Sequence, residues 1–261
     1  RLAYYDGQQW QILPSFHAPN TRGLLVDGDT LWVGSEKKLT RFDLPLGPGT
    51  RSESIATNAF SGVGEIWALR KSGNQIVAIT REDVWFISPD GSQTQRHHLP
   101  TPQRLIVQDW KDRSLILQPG QGLWEIREGR LEAIPNPLPD PSDTLWHGSD
   151  GTFICTSKAL YTRGAHGWTR LASTESLANA VITSVTRWED QVVATTATHG
   201  LALFDLKTGE LQLRRTLPGL DNPFLLCSYV DRQNRLWLGM RKGIALLESL
   251  RFGHSVQTPR V

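Results

Sequence analysis

The sequence has little of several features that mark other classes of protein. Its 261 residues include only two cysteines and one methionine. Cys155 and Cys227 lie in separate apolar runs, which predicts two small buried side chains rather than a disulfide or a metal site. No apolar run approaches the ~20 residues of a membrane-spanning helix, so we expect no direct insertion into a membrane.

Net charge and helical periodicity are equally weak. The formal net charge is +2, which gives no electrostatic reason to expect a nucleic-acid partner or a membrane surface. Residues 173–180 are the best local candidate for an amphipathic helix, and they would make about two turns. What the chain does have is ten Trp, eight Phe and four Tyr, which suits a β-rich interior. The sequence therefore predicts an all-β protein.

One strand-turn-strand pattern recurs along the chain. It is clearest in residues 231–248, where a polar turn precedes the run LWLG, a short basic loop follows, and the apolar run GIALL closes the unit. Residues 26–43 repeat it as VDGDTLWVGSEKKLTRFD. Successive copies are 38 to 45 residues apart, close to the ~40 residues of a four-stranded propeller blade. The residues that begin the equivalent strand of each copy are Leu31, Ile76, Leu115, Phe153, Val192 and Leu236.

These repeats predict a β-propeller, because one small sheet cannot bury both of its faces and must stack against the next. Each full copy supplies four strands, named A to D from the axis outward by analogy with known propellers. Strand B contains the recurring run, and the polar strand D suits an outer edge. A half copy in residues 2–13, five full copies and a last copy with at least strands A to C predict seven blades. Six blades remain the alternative if the half copy belongs elsewhere.

The half copy matches only the outer strands of a blade. We therefore expect residues 1–261 to form a single propeller domain cut from a longer protein. Preceding residues of that protein would complete the first blade, and a two-stranded seventh blade is the alternative.

The pattern of Asp, a turn, Leu-Trp, an apolar residue and Gly resembles the two-component regulator propeller repeat. Residues 26–43 and 230–248 match it well, and residues 114–126 and 191–205 match it less closely. The copies at Ile76 and Phe153 depart from it, since their B strands lack the Trp and the Gly. The resemblance implies a sensor region of a membrane-anchored bacterial signalling protein, periplasmic or extracellular, that signals to a downstream output domain. It also implies neighbouring domains as partners and homodimerisation through the parent protein.

The most conspicuous residues of the repeat are interpreted as structural. Trp32 and Trp237 occupy one register of an inner strand, where a large aromatic ring fills the wedge between blades. Pairs such as Asp27-Gly28 and Gln233-Asn234 occur where tight hairpins need positive φ, which favours turns over metal-binding loops.

Binding residues are expected in the loops at one end of the blades. In propellers the loops between strands B and C meet the D-to-A loops at one end of the channel, and loops on a rigid scaffold often carry function. Cations outnumber carboxylates in the B-to-C loops, which would attract an anion. A solvated rim that binds nothing is the alternative. The candidate ligand-binding residues are Arg22, Trp67, Arg81, Arg104, His199 and Arg241.

Signals for catalysis are weak. His97 and His98 are adjacent and would point to opposite faces of a strand, and no metal-binding or nucleophile motif is present. We expect no enzymatic activity, no cofactor and no metal in this domain. Two interpretations stay open: a sensor that binds a small saccharide or anion, or a protein-interaction propeller that acts as a docking scaffold without a small ligand.

Overall fold

A computed structural model provides the structure of the protein. It describes residues 2–6, 8–13, 16–18, 20–36, 38–55, 65–99, 105–110, 113–118, 122–135, 138, 145–147, 152–156, 158–177, 180–214, 224–241 and 243–247. Of the predicted site residues, Arg104 lies outside this part of the chain.

Twenty-five strands form seven small sheets in the described residues, and each sheet hydrogen-bonds its strands in sequence order. A two-stranded sheet comes first: β1 (Ala3–Tyr5) and β2 (Trp10–Ile12). The first four-stranded sheet contains β3 (Gly23–Asp27), β4 (Thr30–Ser35), β5 (Lys38–Asp43) and β6 (Ser52–Ile55). The second contains β7 (Ala68–Ser72), β8 (Gln75–Ile79), β9 (Asp83–Ile87) and β10 (Thr94–His98).

The remaining sheets repeat this order. The third four-stranded sheet contains β11 (Ile106–Trp110), β12 (Arg113–Gln118), β13 (Gly122–Arg127) and β14 (Arg130–Ile134). The fourth contains β15 (Leu145–His147), β16 (Phe153–Thr156), β17 (Ala159–Gly164) and β18 (Gly167–Ser173). The fifth contains β19 (Ile182–Trp188), β20 (Gln191–Thr196), β21 (Gly200–Asp205) and β22 (Leu211–Arg214). The last sheet has three strands, β23 (Leu225–Val230), β24 (Leu236–Met240) and β25 (Gly243–Leu247).

The fold class is therefore the predicted one, all-β with the four-stranded blades of a β-propeller. Six of the described sheets have the three or four strands of a blade, which agrees with the six-bladed alternative rather than with seven blades. The two-stranded sheet corresponds to the opening half copy. The strands divide among the sheets as two, five sets of four, and three, which matches the copies read from the sequence.

The chain divides into two compact units. Unit 1 comprises Arg1–Val107 and Arg113–Pro135, and unit 2 comprises Gln108–Asp112 and Asn136–Val261. The prediction of a single domain stays a prediction.

The middle strands of the sheets, B and C, are the most buried because neighbouring sheets cover them. Every described residue of β9 and β16 is buried, whereas β10 and β14 are largely exposed. In unit 1, one apolar cluster joins the first and second four-stranded sheets through Trp32, Ile66 and Leu69. This burial pattern confirms that strand D is the polar outer strand.

Two strand positions were misjudged from the sequence. The apolar run of residues 66–69 predicts a strand A, but the strand begins two residues later, at Ala68, because the Ile66 amide bonds to Ser35 of the preceding sheet instead. β6 was not predicted, since only Ile55 of its residues is buried and the polar Ser52, Glu53 and Ser54 have no apolar alternation. In the candidate helical segment 173–180, the structure has a 3-10 helix at Glu175–Leu177.

The turn residues behave largely as expected. Gly28 and Asn234 have positive φ angles of 58° and 59°, and both lie in turns between strands A and B. Cys155 is buried, as predicted, and burial raises its pKa to about 12. The prediction for Cys227 was wrong, because Cys227 lies exposed on β23, at the edge of the last sheet.

Candidate functional site

A hydroxyl group at the end of strand B shapes several turns that carry predicted site residues. The hydroxyl of Thr80 accepts hydrogen bonds from the amides of Glu82 and Asp83 (3.3 and 3.0 Å) and donates one to the Asp83 carbonyl (3.2 Å). Hydroxyl-to-backbone bonds of this kind stabilise short turns. Arg81 is exposed in the middle of this turn.

The same arrangement recurs in unit 2. Thr156 accepts from the amides of Lys158 and Ala159 (3.1 and 3.0 Å). Thr196 accepts from the His199 amide at 2.8 Å and donates to the Gly200 carbonyl at 2.9 Å. These hydroxyls hold the B-to-C turns in defined conformations, which is the scaffold that binding residues on loops require.

Two predicted site residues, Arg22 and Trp67, are in contact. Each comes just before a strand A, and each is held opposite the end of its own strand B, by bonds from the Arg22 amide to Gly34 (3.2 Å) and from the Trp67 amide to Ile79 (2.8 Å). The Arg22 guanidinium carbon lies 5.6 Å from the centroid of the Trp67 ring, within the range of a cation–π contact. The first two four-stranded sheets therefore bring a cation and a half-buried aromatic ring together.

Glu65 completes this cluster. Its Oε1 lies 2.7 Å from Arg22 Nε, but the N–H does not point at the oxygen, so the contact is an ion pair without a hydrogen bond. Glu65 is held here by an antiparallel bridge to Glu36, in the turn after β4. The positive charge of Arg22 is thus already balanced by a neighbouring carboxylate.

A glycine allows this close approach. A Cβ atom on Gly34 would lie 2.5 Å from Ile66 Cγ2, in the residue between Glu65 and Trp67. The motif glycine of the repeat therefore admits the segment that carries Glu65 and Trp67 against β4.

Three other predicted site residues, Arg81, His199 and Arg241, lie in turns of their own. Arg81 belongs to unit 1, whereas His199 and Arg241 belong to unit 2. His199 Nδ1 lies 2.7 Å from the Thr198 hydroxyl, and Arg241 is exposed in the turn after β24. Their role in binding stays a prediction.

Sequence reasoning missed Glu65 and a second cluster on the outer strands of the second four-stranded sheet. There the buried Asp83 accepts two bonds from Arg96 (2.8 and 3.1 Å) and lies 3.0 Å from His98 Nδ1. Arg96 also stacks over Trp85 at 5.3 Å. The only available signal was the alternation of β9 and β10, which predicts cross-strand neighbours but does not identify them.

A third cluster missed from the sequence lies on the inner strands of unit 2. The Thr195 hydroxyl lies 2.8 Å from those of Thr183 and Ser184, and Ser184 lies 2.8 Å from Ser228 of the next sheet. A β-bulge in β19 between Ile182 and Ser184 makes room for the arrangement, and bulges commonly redirect side chains in this way. These hydroxyls satisfy one another and join two neighbouring sheets.

The described residues contain no group of three or more His, Cys, Asp or Glu side chains placed to hold a metal ion. Within the same residues, no helix has the length and apolar character needed to cross a membrane.

Comparison with known proteins gives matches at the level of structure. No family model matches the chain, and no curated protein matches it in sequence. The extracellular domain of BT4673 from B. thetaiotaomicron, described as a one component system, superposes with a TM-score of 0.65 and 17% identity, covering 94% of this chain and 35% of that chain. The extracellular domain of BT3049, described as a hybrid two component system from the same organism, superposes with a TM-score of 0.60 and 16% identity. This match covers 91% of this chain and 34% of that chain.

The WD40 domain of Neurospora crassa Pan2 is also similar, with a TM-score of 0.56, 13% identity, and coverage of 91% of this chain and 78% of that chain. All three share the propeller fold with this chain. The chain spans about a third of the length of the two bacterial sensor domains. The resemblance noted in the sequence points to the same class as these two, extracellular domains of bacterial signalling systems.

Proposed function

We propose that this propeller is a sensory domain of a bacterial two-component-type signalling protein. In this proposal it binds a small polar ligand outside the cytoplasm and passes the signal to an output domain elsewhere in the parent chain. The observation that carries the proposal is the cluster of Arg22, Glu65 and Trp67 beside the B-to-C turns of two neighbouring sheets. The similarity to extracellular sensor domains supports the class of function and the location.

The composition of the cluster favours a neutral saccharide over an anion. An anion at Arg22 would have to displace or repel the carboxylate of Glu65, which already lies 2.7 Å away. A sugar instead presents hydroxyl groups that can bond to both members of the ion pair, and C–H faces that can pack on an aromatic ring such as Trp67. The saccharide is therefore the first candidate of the two ligand classes.

The test is a thermal-shift and calorimetry screen of neutral and anionic oligosaccharides against the wild-type domain. We expect a neutral glycan to bind, and Trp67→Ala to weaken it at least tenfold, which corresponds to about 1.4 kcal/mol. Trp67→Phe should keep part of the affinity, because an aromatic face remains.

Trp168→Ala provides a matched control. Arg163 stacks over Trp168 at 5.9 Å on the outer strands of the fourth four-stranded sheet, so this pair has nearly the same geometry without Glu65. Binding in Trp168→Ala should equal that of wild type. Equal losses in Trp67→Ala and Trp168→Ala, or selective binding of anionic glycans, would count against a saccharide at this site.

The docking-scaffold alternative is supported by the similarity to a WD40 domain. It would gain support if no small molecule shifted the melting temperature and if protein partners bound the domain with its Arg22 cluster mutated. Arg81→Ala and Arg241→Ala, measured separately, test two of the remaining predicted residues, since an anion site at either residue would lose its ligand in that variant while the fold stays intact.

A further inference from the structure

One face of the first four-stranded sheet is covered only in part. Its strands β4 and β5 pack against the opening segment of the chain, in a cluster of Leu31, Val33 and Phe42 with Leu2, Leu13 and Phe16. On the same face of the neighbouring inner strand, Leu24 is 53% exposed and Val26 is 63% exposed. These two residues pair in register with the buried Val33 and Leu31. An apolar surface that continues from a buried cluster is therefore left bare along β3.

The second four-stranded sheet indicates what normally covers this position. Leu69 pairs with Ala78 as Leu24 pairs with Val33, so the two leucines are equivalent in the repeat. Leu69 is only 1% exposed, because strands of the preceding sheet lie over it. The half copy has no strands at the corresponding place in the described residues.

The half copy corresponds to strands C and D of a blade, so the unpaired edge of β1 is the edge at which a strand B would lie. The bonds from the Leu13 amide to Leu2 (2.9 Å) and from the Asp6 amide to Gln9 (3.2 Å) show which residues of β1 face β2. In an antiparallel pair these alternate with residues whose N–H and C=O groups point away, so Ala3 and Tyr5 present theirs to the open edge. Among the described residues, β1 pairs only with β2.

Apart from its length of three residues, this edge has none of the features that usually prevent pairing. Natural edge strands carry lysine, proline, inward-pointing charges or bulges, whereas β1 is Ala-Tyr-Tyr. Two strands of a sheet occupy about 10 Å at the usual spacing of ~4.8 Å, which is the width by which the two-stranded sheet falls short of a four-stranded one.

We propose that β1 and the bare face of β3 form a docking site for a two-stranded β-hairpin with alternating apolar residues, supplied as a separate segment. Its second strand pairs antiparallel with β1 at Ala3 and Tyr5, and its first strand covers Leu24, as β3 covers the equivalent Leu69. The hairpin has the character of this protein's own A and B strands, because β3 and β4 lie in the same way over Leu69 and Ile76 of the next sheet. This inference is independent of the proposed sensory function.

The test uses a fluorescent peptide that copies residues 21–35, TRGLLVDGDTLWVGS, and measures its binding to the wild-type chain by anisotropy. We expect saturable binding that weakens at least tenfold in Ala3→Pro, which removes the one N–H of that residue at the open edge. Leu24→Lys should cause a similar loss, because it places a charge where the equivalent Leu69 is buried. Val181→Lys changes an equally apolar residue, 43% exposed in unit 2, and should bind as wild type does.

Two altered peptides test the orientation. In the first four-stranded sheet, Leu25 and Trp32 face the next sheet, and Leu24 and Val26 face away from it. A peptide with L25N and W32N should therefore lose binding, whereas one with L24N and V26N should keep it. Thermal unfolding of each protein variant checks that it folds.

Three results would overturn the proposal: no binding of the wild-type peptide, equal binding of the two altered peptides, or full binding by both Ala3→Pro and Leu24→Lys. A dimer of the chain that Leu24→Lys dissociates would likewise contradict it, because a second copy would then occupy the face.

Discussion

The first four-stranded sheet and the last sheet carry the best copies of the same motif, yet their tryptophans have different environments. Trp32 is 3% exposed in the cluster between two sheets, and its indole N–H has no hydrogen-bond partner among the described residues. Trp237 is only half-buried, and its N–H donates to Asp231 at 2.8 Å while Arg235 stacks on the ring at 5.5 Å.

The turns before the two tryptophans explain the difference. Asp27 pairs directly with Thr30, so a two-residue turn joins β3 and β4. Five residues join β23 to β24, and in this longer turn Asp231 accepts the amides of Gln233 and Arg235, both at 2.9 Å. The extra length places the Asp231 carboxylate beside the indole N–H of Trp237, whereas the Asp27 carboxylate pairs with Lys71 of the next sheet. The shared motif therefore specifies the strands, and the length of the turn decides whether the indole N–H of the tryptophan has a carboxylate partner.

The largest expected effect comes from truncating the two tryptophans. Trp32→Ala should lower the free energy of unfolding of unit 1 by about 3–5 kcal/mol, because it leaves a cavity in a closely packed cluster. Trp237→Ala should cost less than half as much, since its side chain is partly in solvent. Chemical denaturation of both variants measures the difference, and equal losses would mean that the two environments are not distinct.

Substitution of the motif glycine should likewise cost more stability in the first four-stranded sheet than in the last sheet. A Cβ on Gly34 would lie 2.5 Å from the buried, branched Ile66, and one on Gly239 would lie 2.4 Å from Cys227 Sγ. Gly34→Ala should cost about 1–3 kcal/mol because Ile66 cannot move away. Gly239→Ala should cost less, because the exposed Cys227 can change rotamer. Adding Cys227→Ala should remove the remaining cost; if it does not, the sulfur is not the obstacle.

Acid should affect the last sheet through Asp231. Burial alone would raise the pKa of Asp231, but the hydrogen bonds from Trp237 and Arg235, with the charge of Arg235, outweigh it and hold that pKa at about 2. A carboxyl group with a lowered pKa stabilises the fold above its unfolded pKa of ~3.9, and this contribution is lost as the pH falls through about 2.

Melting temperatures measured between pH 4 and pH 2 test this point. Wild type should lose more stability over this window than Asp231→Asn, which has no proton to gain. Trp237→Phe should lie between the two, because it removes only one donor. Parallel curves for wild type and Asp231→Asn would exclude Asp231 as the titrating group.

The smallest effect is expected at the ion pair of Asp27 and Lys71. Asp27 makes this pair instead of the contacts that Asp231 makes in the last sheet. The Lys71 side chain, which pairs with Asp27, is 45% exposed, and exposed ion pairs contribute about 0–1 kcal/mol. A double-mutant cycle of Lys71→Ala and Asp27→Ala should give a coupling energy in that range that falls with added salt. A coupling above 2 kcal/mol would show that this pair is as important as the Trp237 turn.

Much of the fold could be predicted because its signals are local. The spacing of the copies identified every B strand, and the Gly and Asn residues of positive φ marked the turns. Strand β6 was missed because polar residues on an outer strand have no buried face to show alternation. Cys227 was misjudged because its apolar run resembles a strand covered on both faces, whereas Tyr229 on the same strand is 64% exposed.

The candidate site was predictable only in part. Arg22 and Trp67 were chosen for lying near one end of the blades, and they do meet. Glu65 was not chosen, because its place beside Arg22 depends on a bridge to Glu36 that no spacing reveals. The carboxylate matters, since it balances the charge of Arg22 on which the expectation of an anion site relied.

The sequence by itself determined the all-β repeat, its strand order and its turns, because period-two alternation and positive-φ residues act within a few neighbouring positions. Only the tertiary structure decided which equivalent residues are buried or exposed. Leu24 and Leu69 occupy the same place in their repeats, yet one is bare and the other covered, because burial depends on the sheet that lies alongside. The same holds for Arg22, whose charge is balanced by a residue from the neighbouring blade.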